Sequence, residues 1–434
     1  MGHTILIHYL SCIALISSCI HPTNSANPLN PTNLLLHSNS NTNHGIPLPL
    51  YSTPLSSHPP TTSFTKFPFQ YNLNLMAEIQ MGNPPQKQKM VLDTGSELSW
   101  LQCTQSFNPL LSSSYAPIPC TSPICTKQTS NFPIPTICNA NRLCQFIYPY
   151  ADQTSVQGNL GTDTITLPEL KIPNFVFGCN ILAPLPGTPG LMGLGRGALS
   201  FISQIPKPNQ NKFSYCIADP VESPNSPGVL LLGDSPFSKY LHYTPLYTIS
   251  IPLPYFNRVA YSVRIRGIKV GKLRLGIPKS VFLPDHTGAG QTMIDSGTQF
   301  SFLVGEAYLP LRAAFFRQNQ GIMNQSVDDS FVFQGAFDLC FSQPGNSAFP
   351  QVSPVTLLFD NRAHVKLQSH QLLYQVPGDL VRNGRSVYCF TFGNSDLVGI
   401  VENIIGNFHQ QNLWVEYDLQ SSRIGFARAN CRFS

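Results

Sequence analysis

Two short stretches of this chain each place a lone carboxylate on a turn of one hydroxyl and one glycine. The first runs Val91-Leu92-Asp93-Thr94-Gly95-Ser96-Glu97-Leu98-Ser99-Trp100, the second Met293-Ile294-Asp295-Ser296-Gly297-Thr298-Gln299-Phe300. A carboxylate at the end of an apolar strand is costly unless its oxygens are satisfied or it shares a proton. Gly95 and Gly297 allow a bare N–H close to the carboxylate. The hydroxyl of Thr94 or Ser296 can bond across a junction between the turns, and Ser96 or Thr298 can bond an outer carboxylate oxygen. Two such turns face to face bring Asp93 and Asp295 within hydrogen-bonding distance, where they share one proton and titrate apart. The ionised member can take a proton from a water held between them, while the protonated member polarises and protonates an amide carbonyl. That is amide hydrolysis without a covalent intermediate, a metal or a cofactor. A single Asp-Thr-Gly is a common turn; two in matching surroundings carry the reading.

The elements around the turns repeat as well. Leu73, Leu75, Ala77 and Ile79 alternate with mostly polar neighbours as a strand, Gly82-Asn83-Pro84-Pro85 turns, and Met90-Val91-Leu92 leads into Asp93. Gln145 to Tyr150 and the return after Gly158 read as a hairpin with Tyr150 near its tip. Leu199 to Ile205 is a short helix candidate. After a boundary near Pro252-Leu253-Pro254 the order restarts: Tyr261, Val263 and Ile265 alternate, and Thr292-Met293-Ile294 leads into Asp295. Gly305 to Gln318 has helical spacing, with Pro310 tolerated if the helix begins just before it. The apolar run ending in Gly193 follows the first turn, and the run ending in Gly406 follows the second. Such a pattern is an internal duplication of two β-rich lobes.

Composition narrows the rest. Only 11% of the 434 residues are charged while Pro and Gly number 39 and 30, which favours short strands and turns over long helices. A net charge of +5, not clustered, makes no case for a nucleic-acid partner. Residues 1–65 contain no charged side chain. Ile5 to Ile20 is apolar but too short and too broken by Ser to span a bilayer, and Asn24-Ser25-Ala26 offers a cleavage site. Residues 1–26 therefore read as a signal peptide and 27–66 as a flexible leader without clear periodicity. No later stretch is apolar enough for a membrane anchor. Ten cysteines remain after the signal, an even number that suits an oxidising secretory compartment, whether extracellular, cell-wall, ER or vacuolar. No Cys-x-x-Cys or neighbouring His pair suggests a metal. Asn324-Gln325-Ser326 is a glycosylation sequon. His286 and His409 read as surface or satisfied histidines, and the Lys and Arg of residues 264–274 as decoration of a solvated face.

On these motifs the chain resembles the pepsin-like (A1) aspartic proteases, specifically the nepenthesin-like plant group, over about residues 69 to 431. The resemblance implies an all-β, bilobal fold with lobes at 67–250 and 251–434 and the cleft between them. It implies Asp93 and Asp295 as the catalytic dyad, Thr94 and Ser296 as crossed hydroxyls behind it, and Gly193 and Gly406 where the chain threads beside each catalytic loop. Tyr150 takes the place of the flap tyrosine and Trp100 that of its hydrogen-bonding partner. The implied disulfides are Cys103–Cys179, Cys120–Cys144, Cys125–Cys138, Cys216–Cys431 and Cys340–Cys389. The expectation is a monomeric endopeptidase acting on polypeptides at hydrophobic positions in acid. The alternative is a non-catalytic binder of the same fold, since the cysteine pattern also resembles xylanase-inhibitor proteins; two intact Asp-(Thr/Ser)-Gly turns favour the enzyme. The chain departs from the family in having Ala151 after the flap tyrosine, in lacking an extra Cys-x-x-Cys after Cys103 and a saposin-like insert, and in having no Lys or Arg in residues 27–65.

Overall fold

One long twisted sheet runs through both halves of the chain. The computed structural model describes residues 45–54, 73–151, 153–182, 185, 187–207, 211–219, 227–323, 331–376 and 384–432. The expected signal peptide, most of the expected leader and the sequon at Asn324 lie outside the described residues.

The first half supplies β1 (Ile46–Pro54), β2 (Leu73–Met81), β3 (Gln86–Asp93), β4 (Trp100–Gln102), β5 (Cys144–Pro149), β6 (Ser155–Leu167), β7 (Leu170–Asn180), β8 (Gly190–Gly193), the short helix α1 (Phe201–Gln204), β9 (Lys212–Cys216) and β10 (Gly228–Leu232). The second supplies β11 (Ile265–Val270), β12 (Leu273–Arg274), β13 (Thr292–Ile294), β14 (Ser301–Leu303), α2 (Gly305–Gln318), β15 (Val355–Phe359), β16 (His364–Leu367), β17 (Phe392–Asn394), β18 (Asn403–Ile405), β19 (Leu413–Asp418) and β20 (Arg423–Arg428).

Each carboxylate turn hangs from the same small weave. In the first half β8 runs parallel to β3, with Gly193 beside Asp93, and antiparallel to β4, which runs parallel to β7. In the second, β18 runs parallel to β13 and antiparallel to β14, which runs parallel to β17. The duplication in sequence is thus a duplication in strand order. The halves are joined where β9 pairs with β19, residue for residue from Lys212–Asp418 to Cys216–Trp414. An apolar core follows that junction without a break, from Ile46 and Leu92 through Tyr215 and Tyr261 to Val415 and Phe426. A smaller cluster of Leu98, Trp100, Phe146, Tyr148 and Val156 lies under the β5–β6 hairpin.

Three expectations need correction. Ile46–Pro54, placed in the flexible leader, is a strand, with Ile46–Leu50 pairing β10 and Leu50–Pro54 pairing β2. Ile46, Leu48 and Leu50 are buried at every second position, so a period was present and the intervening prolines masked it. Pro47 and Pro49 fall in the half of the strand that has a neighbour on one side only, where a missing N–H costs no ladder bond. Second, α2 starts at Gly305, so Pro310 sits well inside it. Pro310 and Leu309 are exposed there, which leaves water to satisfy the carbonyl that the proline cannot pair.

Third, the cysteine-rich insert closes as Cys120–Cys138 and Cys125–Cys144, not Cys120–Cys144 and Cys125–Cys138. The side-chain directions decide this. Cys125 and Cys144 are buried in the small cluster with Ile118 and Phe132, whereas Cys138 is exposed and Cys120 half-buried. The inward pair and the outward pair each lie within bridging distance, at Cα separations of 5.8 and 5.1 Å. The other three bridges are Cys103–Cys179, Cys216–Cys431 and Cys340–Cys389.

Candidate active site

Asp93 ends β3 and Asp295 follows β13, and the structure brings the two turns together across the junction between halves. The backbone N–H of Thr94 donates to Ser296 Oγ at 3.1 Å, and that of Ser296 donates to Thr94 Oγ1 at 2.9 Å. The Thr94 hydroxyl donates to the carbonyl of Ile294 at 3.2 Å and the Ser296 hydroxyl to that of Leu92 at 3.0 Å. Four reciprocal bonds therefore lock one turn to the other, all of them buried. Each is stronger than its surface counterpart because no water competes for the donors.

The carboxylates are held identically. Gly95 N–H donates to Asp93 Oδ1 at 2.8 Å and Ser96 Oγ to Oδ2 at 2.6 Å. Gly297 N–H donates to Asp295 Oδ1 at 2.9 Å and Thr298 Oγ1 to Oδ2 at 2.6 Å. The glycines are required by space. A methyl group at Gly95 would stand 3.0 Å from Asp295 Oδ1, and one at Gly297 would collide with Asp93 Oδ1. Each glycine thus faces the opposite carboxylate. Burial first, and the Asp295 charge second, push the Asp93 carboxyl up to about 7 from an ordinary 3.8. With the two groups this close the retained proton belongs to the pair and not to one residue.

Tyr150 stands at the tip of the β5–β6 hairpin, its backbone closed by a bond from its N–H to the Thr154 carbonyl at 2.9 Å. Trp100 Nε1–H donates to Tyr150 Oη at 2.6 Å, and the Tyr150 ring leans on Tyr148 at 5.5 Å between centroids. The Trp100 indole is fully buried, so it is a fixed post for a half-buried tyrosine. Replacing Trp100 by Phe keeps an aromatic ring, removes the donor and leaves a cavity where the rest of the buried indole was. We expect kcat/KM for peptide cleavage, read where the variant is folded, to fall about fivefold, the worth of roughly one hydrogen bond, mostly through KM, with a lowered thermal midpoint from the cavity. Unchanged kinetics would remove Trp100 from the role.

Sequence reasoning missed several supports. Gly193 N–H donates to Ser99 Oγ at 3.1 Å, and Gly406 N–H to Ser301 Oγ at 3.0 Å. Both serines lie six residues after their aspartates, so aligning the two repeats would have found them. A side chain at Gly193 or Gly406 would run into the backbone of Glu97 or Phe300, so the glycines admit the crossing chain. Asn407 Nδ2 donates to the Ser296 carbonyl at 2.9 Å, and Asn257 Nδ2 to the Gly95 carbonyl at 3.0 Å; only the three-dimensional fold shows these. His409 is wholly buried. Thr391 gives its hydroxyl proton to the Gln371 carbonyl, so His409 Nε2–H donates to Thr391 Oγ1 at 2.8 Å and its Nδ1 accepts from Ser301. Burial holds this imidazole neutral, its pKa pulled down to about 3. Glu97 is also fully buried and pressed on Gly197, and its oxygens make no well-formed hydrogen bond among the described residues, the Leu199 backbone giving only a weak contact. Burial pushes it up to about 7, against weaker opposing effects from the Leu199 backbone and Arg258.

Two family models, Xylanase inhibitor N-terminal and Xylanase inhibitor C-terminal, match residues 76–234 and 260–428. The chain is 46% identical to Aspartic proteinase PCS1 of Arabidopsis thaliana over 90% of its own length and 88% of the relative's. It belongs to the aspartic proteinases. Aspartic proteinase nepenthesin-1 of Nepenthes gracilis is 35% identical over 379 residues, covering 83% of this chain and 78% of that protein. Among solved structures, Basic 7S globulin from soybean superposes with a TM-score of 0.65 at 22% identity, over 89% of this chain and 97% of that one. That likeness shows the two-lobed fold alone. In this aspartic proteinase both carboxylate turns are complete and mutually locked.

Proposed function

We propose that this chain is an endopeptidase that cleaves polypeptides at acidic pH by a water activated between Asp93 and Asp295. The supporting observation is the symmetric hold on the pair: one N–H and one hydroxyl on each carboxylate, and a four-bond lock behind them. That arrangement leaves the facing oxygens to share one proton, so one member serves as base toward water and the other as acid toward the carbonyl. The role fails once the shared proton is lost, and the raised Asp93 carboxyl puts that loss near pH 7. A preference for apolar residues follows from the Tyr150 ring and the apolar cluster beneath the hairpin. Both aspartates come from one chain, so a monomer suffices. Five disulfides fit a secretory compartment, and among the described residues no helix is long and apolar enough to cross a membrane.

The test is digestion of an acid-denatured protein between about pH 3 and 6, with and without pepstatin, and mass spectrometry of the fragments. We expect cuts beside apolar residues that pepstatin blocks. Intact substrate across that range would favour a binding protein of the same fold.

A further inference from the structure

From Ser235 to Pro284 the sequence carries eight Lys or Arg and no Asp or Glu, in a chain where 11% of residues are charged. The strand register gathers much of this charge on one face. β11 pairs with β12 and β15, and β15 pairs with β16. In that register Arg274, Lys269, Thr356 and Lys366 form a single row across the four strands. Neighbouring strands lie about 4.8 Å apart, so the row is roughly 14 Å long. The opposite face, with Ile268, Val270, Leu357, Val365 and Leu367, is buried in the core.

The outward cations are not neutralised by the fold. Arg266 pairs with Asp360 at 2.9 Å, but among the described residues no acid pairs with Lys269, Arg274 or Lys366. Arg274 is laid flat over Gly267, where a side chain would meet its guanidinium at 3.0 Å, and Nη2 donates to the Arg266 carbonyl at 2.7 Å. Its remaining donors stay on the surface. Lys269 and Arg274 stand directly opposite each other, and like charges in that relation repel. The sheet's own stability would be served better by an acid at either position.

We propose that this face docks a carboxylate-bearing polysaccharide, a polyuronate chain laid across the strands along the row. An exposed ion pair is worth little alone, so a flat row of separate cations gains from a ligand that brings many charges at once. The disulfides place the protein where nucleic acid is not the abundant polyanion, and no Phe, Tyr or Trp stands on the row to stack on bases. Thr356, in the middle of the row, can meet a sugar hydroxyl. Leu273 is the one exposed large apolar side chain on these four strands, too little to anchor the face in lipid.

The test titrates the full chain with polygalacturonate, with neutral dextran, with phosphatidylserine vesicles and with duplex DNA. We expect binding to polygalacturonate that weakens steeply with added salt, and none to dextran. The double variant K269E/K366E should bind at least about tenfold more weakly, with peptide cleavage unchanged because these residues lie outside the catalytic turns. K269E also puts a carboxylate opposite Arg274, so its thermal midpoint should hold or rise, which separates lost binding from lost fold. Equal affinity of variant and wild type, no polyuronate binding, or tighter binding to vesicles or DNA would each overturn the proposal.

Discussion

Asp295→Asn should leave a folded protein whose kcat/KM for peptide cleavage is at least about a thousandfold lower, or roughly 4 kcal/mol of transition-state stabilisation. The lock between the halves uses Thr94, Ser296, Leu92 and Ile294 and no carboxylate, so it survives the change. The amide oxygen can keep the Gly297 N–H, and the Thr298 hydroxyl can turn from donor to acceptor for the new NH2. What is lost is the shared proton, and with it the division into acid and base. The same change removes the charge that helps to raise Asp93, whose pKa should drop. A buried carboxyl held above its ordinary pKa costs stability at neutral pH, so the variant should melt higher than wild type at pH 7. The measurement is a pair: steady-state kinetics in acid and thermal midpoint at pH 7. Residual activity within tenfold of wild type would remove Asp295 from the chemistry.

Glu97→Gln should show its effect through pH. Glu97 titrates at 4.5 ordinarily and near 7 in the fold. Between those values the native state holds a proton that the unfolded chain has released, so stability falls as pH rises through the window and the loss is complete above about 7. Gln carries no such charge. Relative to wild type, the variant should therefore gain up to about 3 kcal/mol between pH 4 and pH 8, read from denaturant midpoints at both pH values. Asp93 acts with the same sign. His409 acts oppositely: its pKa is depressed to about 3 by burial, so the unfolded chain binds a proton first, and stability is lost as pH falls from about 6.5 toward 3. The wild-type profile mixes these, and the difference between variant and wild type isolates Glu97. A constant difference from pH 4 to 8 would show that Glu97 is not the buried acid described here.

The legible part of this protein was the part repeated in it. Asp93 and Asp295 each sit in the pattern Asp, hydroxyl, Gly, hydroxyl, then Ser at the seventh place, and strand order around both follows the repeat. Short-range patterns also gave the hairpin that lifts Tyr150. Contacts between distant segments stayed hidden, because nothing local marks them. Asn257 reaches the Gly95 carbonyl across 162 positions, and the tautomer of His409 depends on Thr391 and Gln371. The cysteine insert failed for a related reason. Spacing alone cannot say which cysteines point inward, and the answer waited on the core formed by Ile118, Phe132 and Cys144. β1 was misread because proline was weighed as a strand breaker without regard to how many neighbours the strand would have.

The pairing of β9 with β19 carries a consequence for biosynthesis. The half that holds Asp93 has its strands in hand long before residues 413–428 leave the ribosome, yet the edge of β9 has no partner until they do. During that interval Lys212–Cys216 presents an open, largely apolar sheet edge, with Cys216 still awaiting Cys431, 215 residues away. Closure of that edge and of the Cys216–Cys431 bridge therefore waits on the far end of the second half, and until then the N-terminal half is the species most in need of shielding.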